Sequence, residues 1–150
     1  MKKSSFVHYI TKILVDVMFY GGIIACLSIP FWSKFLTGYI YFARETFSGF
    51  LILLSTSGIT AVYIMWQLKR IFKSLLTGNP FISQNVSAFR KIAVSSCLIA
   101  VIYAIKCVFY FTIATALIVA VFVIATLLCL TLKDVFKQAV YYKEENDWTV

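Results

Sequence analysis

From Ile92 to Leu132 the chain runs through apolar and small residues without a break and carries one charge, Lys106. As one straight helix this run would be about 60 Å long, twice the roughly 30 Å hydrocarbon thickness of a bilayer. It therefore has to fold back on itself. Lys106 lies near its middle, and the aromatics of KCVFYFT follow it, as expected at a membrane–water interface. A tight turn is expected within Lys106 to Thr112. Holding Lys106 at mid-membrane instead would cost about 2.5–3.5 kcal/mol on insertion scales.

Two further apolar stretches, Ile13 to Trp32 and Phe47 to Leu68, are also long enough to span. With 61% hydrophobic and 13% charged residues, the chain has too few polar groups to clothe a globular surface. The expected fold class is an all-α membrane protein, a four-transmembrane-helix bundle with cytoplasmic helical extensions, N-in and C-in. Its single membrane domain covers 1–150, with spans near 13–32, 47–68, 89–107 and 112–132, a cytoplasmic loop over 69–88 and a cytoplasmic tail over 133–150. The net charge of +8 points to topology and not to nucleic acid, because the basic residues fall between the apolar runs and form no stripe. Eleven of the fourteen Lys and Arg flank the spans on the side of the termini and middle loop. Lys34, Arg44 and Lys106 lie on the other. The positive-inside rule then places the termini and middle loop in the cytoplasm.

MKK followed by an apolar stretch ending IIAC at Cys26 superficially matches a lipoprotein signal. Asp16 and the Gly21-Gly22 pair interrupt that stretch and three spans follow it, so an uncleaved first span is expected. Asp16 is the one acid inside a span. Lys12 sits one turn before it on the same face, where an i, i+4 pair can form. An intramembrane acid is also a candidate proton or ion site, although no second acid lies within the spans to share the task. In the second span, Ser57 within STSGIT could line a polar site, or bond to the preceding turn and to a neighbouring helix. Small residues at fourfold spacing, Gly21/Ala25, Ser57/Ala61, Ser96/Ala100/Ala104 and Ala116/Ala120, suit close helix packing in lipid. The four cysteines lie in apolar runs with no CxxC spacing, and His8 is the single histidine, so no metal and no cofactor is expected.

In the middle connection, Ile71, Phe72, Leu75 and Leu76 share a helical face, so the second helix is expected to continue along the membrane surface. TGNP should stop it, Gly78 by a left-handed cap and Pro80 by breaking the helix. Asn79 or Ser83 is expected to cap the next helix. Beyond the fourth span, Val135, Phe136, Ala139 and Val140 keep helical spacing. Three of the six acids, Glu144, Glu145 and Asp147, then crowd the end of the chain, with Asn146 and Trp148 among them. Arg90 and Lys91 are their candidate partners across the loop. A solvated tail is the plain alternative.

GNPF at Gly78, Asn79, Pro80 and Phe81, then Asn85 and Arg90, then Phe136 and the closing EENDWTV resemble a family of small bacterial four-span membrane proteins catalogued as domain of unknown function 2975. Glu144, Glu145, Asn146, Asp147, Thr149 and Val150 match the family's terminal tag, while Trp148 stands where Leu is commoner. The resemblance implies no established activity. It does imply an association, through neighbouring genes, with small helix-turn-helix regulators of the Cro/CI type.

The expected function is therefore that of a bacterial inner-membrane protein without enzymatic activity, embedded in the lipid bilayer. It would act through its cytoplasmic loop and tail on a protein partner, such as a helix-turn-helix regulator, with no direct nucleic-acid contact. The alternative is a small transporter or an immunity protein against a membrane-active peptide, acting through the bundle itself, with Asp16 and Ser57 as the residues that would discriminate it. Enzymatic chemistry is not expected: GNPFISQN lacks the spacing and Lys of a phosphate loop, and no nucleophile with a base and an orienting partner can be assembled.

Overall fold

The computed structural model describes residues 2–37 and 44–148, with side chains over 9–31, 49 and 51–146. Thr149 and Val150, and the side chains of His8, Asp147 and Trp148, all singled out above, lie outside these. The chain is all-helical among the described residues: α1 spans Lys2–Thr37, α2 Arg44–Leu76, α3 Ser83–Phe109 and α4 Ile113–Trp148. Each contains a segment long and apolar enough to cross a bilayer, Tyr9–Phe31, Leu51–Leu76, Ser83–Phe109 and Ile113–Asn146. Large apolar side chains such as Leu27, Phe31, Val108 and Ile113 are exposed along them, as befits helices whose solvent is lipid.

The long apolar run turns at residues 110–112, within the expected window. Lys106 sits in the last turn of α3, where its carbonyl accepts the Tyr110 amide at 2.8 Å and its ammonium lies 5.9 Å from the centre of the Tyr103 ring. Thr112 then opens α4: its hydroxyl accepts the Thr115 amide and its carbonyl the Ala116 amide. This is a hydroxyl cap doing the work that Gly or Pro would do elsewhere.

The helices pack in chain order. Among the described residues, α1 contacts α2, α2 contacts α3, and α3 contacts α4 over the longest stretch. Antiparallel register is plain from the paired residues of α1 and α2, Asp16 with Lys69, Gly22 with Val62 and Cys26 with Gly58. The close approach in α1 uses Gly22 and not Gly21. A methyl group at Gly22 would meet Val62 at 3.3 Å, and one at Gly58 would stand only 2.9 Å from the Cys26 sulfur. Around Gly21 there is open space. The expected stripe was thus one residue out of phase, because a Gly pair does not say which of its members faces the neighbour. In α3 the stripe does face inward: Ser96 and Ala100 are buried.

The densest apolar cluster sits at the end of the molecule that bears the α2–α3 connection. Ile71 of α2 packs with Ala88, Phe89 and Ile92 of α3, and Leu75, Cys129 and Phe136 close over them. Helix α2 continues past residue 68 without a break. Of the apolar face expected there, Ile71 is buried against α3, Phe72 and Leu75 are half-buried and Leu76 is exposed.

Candidate interaction face: the GNPF loop and the end of the last helix

Helix α2 ends in the sequence Thr77-Gly78-Asn79-Pro80, and Gly78 takes the left-handed conformation with φ +77°. Its amide bonds to the Leu75 carbonyl and that of Thr77 to the Lys73 carbonyl, so the last turn is closed as expected of a glycine cap. The start of α3 departs from expectation. Its N-cap position is Ile82, with no side-chain cap bond, and neither Asn79 nor Ser83 fills the role.

The polar residues of the loop are instead spent on tying it down. Asn85, buried in α3, donates from Nδ2 to the Pro80 carbonyl at 2.6 Å and to Ser74 Oγ at 2.9 Å. Ser74 Oγ in turn donates to the Asn79 carbonyl at 2.8 Å. One buried amide and one buried hydroxyl thus hold both halves of the loop to the helices on either side. Such a small, satisfied network rigidifies what would otherwise be a mobile connection.

The loop is also stapled to α4. Phe136 lies between Phe81 of the GNPF sequence and Phe89 of α3, with ring centres 5.5 Å and 5.0 Å apart and tilted planes. About two turns further on, Lys143 Nζ donates to Asn79 Oδ1 at 2.6 Å. The side chain of Asn79 is therefore an acceptor for the last helix and not a cap for α3. Glu144, Glu145 and Asn146 are exposed on the continuing helix. Arg90 and Lys91 are exposed on α3, and neither enters an ion pair among the described residues. The tail does meet the loop, but through Lys143 and Asn79.

The two intramembrane candidates fall elsewhere and apart. Asp16 Oδ1 pairs with Lys69 Nζ of α2 at 2.8 Å, both side chains about one-third exposed, whereas a pair with Lys12 of its own helix was expected. The Lys69 ammonium also lies 5.2 Å and 4.9 Å from the Phe19 and Tyr20 ring centres. Phe19 and Tyr20 follow Asp16 on α1, so the cation arriving from α2 meets the carboxylate and both aromatic rings together. Ser57 donates to the Leu54 carbonyl at 3.1 Å and lies 3.3 Å from the Tyr103 hydroxyl of α3, a bond within its helix and one across to a neighbour.

A family model described as a protein of unknown function, DUF2975, matches residues 23–150. The chain belongs to the DUF2975 family. No curated protein and no solved structure matches it. The DUF2975 match takes in the loop, α3, α4 and the tail, while Asp16 lies ahead of it.

Three residues of this DUF2975 chain matter more than the sequence reading allowed. Ser74 and Lys143 hold the loop, and their role depends on a fold that joins residues far apart in sequence. Gln67 is fully buried in α2, and neither its amide nitrogen nor its oxygen has a partner among the described residues. A carboxamide inside a span is a readable signal by itself, since its cost in lipid is high.

Proposed function

We propose that this is a bacterial inner-membrane protein without enzymatic activity, and that the face formed by the GNPF loop and the end of α4 is cytoplasmic and binds a protein partner. The observation that carries the reading is the double attachment of the loop to α4, by the Phe81–Phe136–Phe89 stack and by Lys143 on Asn79. A tail that served only as a solvated end would need no such anchoring. Here the acidic end is carried on an α-helix that is held against the rest of the molecule, so its charges have a fixed place from which to meet a basic surface.

A small helix-turn-helix regulator, the partner that the resemblance suggests, has such a surface, and an acidic helix end could compete with DNA for it. Removing 144–150 is expected to abolish co-purification of a co-expressed Cro/CI-type regulator without unfolding the rest of the detergent-solubilised protein. Glu144→Lys/Glu145→Lys should do the same. Co-purification that survives both changes overturns the proposal. The transport or immunity reading draws less support, since Asp16 is engaged by Lys69 and Ser57 by Leu54 and Tyr103.

A further inference from the structure

Between the end of α2, the loop and the start of α3 lies a 360 Å³ cavity whose walls include Arg70, Lys73, Thr77, Gln84 and Asn85. No carboxylate lines it. We propose that it is a binding site for a phosphate-bearing anion, either the headgroup of an acidic phospholipid or a soluble phosphate compound.

The two cations come from successive turns of α2 and are exposed, without an acidic partner among the described residues. Arg70 is steadied by the Trp66 ring, 5.6 Å from its guanidinium carbon to the ring centre, a contact that leaves its N–H groups available. Gln84, at the start of α3, adds a neutral amide donor. The tip of α3 supplies more. The Ile82 amide is taken by the Pro80 carbonyl and the Asn85 amide by the Ile82 carbonyl, and the amides of Ser83 and Gln84 have no backbone acceptor among the described residues. No side chain caps this end and no acid lies in its first turn. An anion in the cavity would meet two cations, uncapped amides and a favourable helix dipole together.

The walls are held in place without a ligand. Asn85 and Ser74 fix the loop to both helices through bonds that do not involve Arg70 or Lys73. The volume lies at the lower end of the roughly 300–1,000 Å³ range of small-molecule sites, suited to a phosphate with a short polar attachment. Its location at the end of two spans is where basic pockets meet acidic headgroups.

The test follows the thermal unfolding midpoint of the full chain in neutral detergent, titrated separately with phosphatidylglycerol, with phosphatidylcholine and with inorganic phosphate. A saturable rise with phosphatidylglycerol alone identifies the lipid as the source. A saturable rise with inorganic phosphate identifies a soluble one. In either case Arg70→Gln/Lys73→Gln should raise the half-saturating concentration at least tenfold. Lys133→Gln/Lys137→Gln, which removes the same charge from α4, should change it less than twofold. The wild-type chain failing to saturate with either anion overturns the proposal. So does a response that Arg70→Gln/Lys73→Gln retains, or that both double variants lose equally.

Discussion

Gln67 is the residue at which the energetics of this chain are most exposed to test. Both polar atoms of its side chain are buried without a partner among the described residues. A group in that state costs about 1–3 kcal/mol, and an apolar side chain of similar size would not incur the cost. Gln67→Leu is therefore expected to stabilise the solubilised protein by about 1–3 kcal/mol, read as a higher unfolding midpoint. Unchanged or lower stability would mean that the amide is already satisfied by a bound water or lipid group. The opposite sign is expected at Gly58, where a methyl group would stand 2.9 Å from the Cys26 sulfur and could enter only if that side chain shifts. Gly58→Ala should cost about 1–3 kcal/mol through overpacking. Adding Cys26→Ala removes the clashing sulfur and should recover most of it. Additive effects in this double-mutant cycle would refute the contact.

At the scale of elements, most of the helices were legible because their causes are local. Apolar length fixed four spans, a lone lysine located the α3–α4 turn, and Gly78 before Pro80 marked the end of α2. What could not be read was pairing across the fold. Asp16 finds Lys69 and Lys143 finds Asn79, and in each case sequence spacing favoured a different partner or a different role. Capping failed for a related reason: Asn79 and Ser83 have the right chemistry, but the loop's own bonds hold the chain so that Ile82 precedes the helix. The element that the sequence undervalued is the junction around Phe136. Phe136→Ala removes the ring between Phe81 and Phe89 and should cost about 2–3 kcal/mol, less than a fully buried Phe because this one is partly exposed. Its more specific effect should be local. Trypsin should cut at Lys137 and Lys143 several-fold faster than in the wild-type chain, while the α1–α2 pair keeps its protection. Uniform loss of protection would show that the junction supports the whole molecule and not the loop and tail alone.

For the molecule as a whole, the packing in chain order puts the α2–α3 loop, the start of α1 and the end of α4 at one end, and the α3–α4 turn at the other. The charges divide along the same line: Lys12, Lys69, Arg70, Lys73, Arg90, Lys91, Lys133, Lys137 and Lys143 belong to the first end, while the turn has Lys106. The first end would carry its cations on the cytoplasmic side if the insertion bias for Lys and Arg sets the topology. This yields a sided prediction that does not depend on the identity of any partner. In intact cells, a membrane-impermeant maleimide should label Phe111→Cys, which lies in the α3–α4 turn. Glu144→Cys, on the exposed end of α4, should react only after the membrane is permeabilised. The unsubstituted chain supplies the background, because its four thiols are free but lie within the apolar segments. The reverse pattern would turn the acidic helix end and the basic cavity away from the cytoplasm. It would then remove a cytoplasmic regulator as a partner, while leaving the anion site to be tested against the headgroups of the outer leaflet.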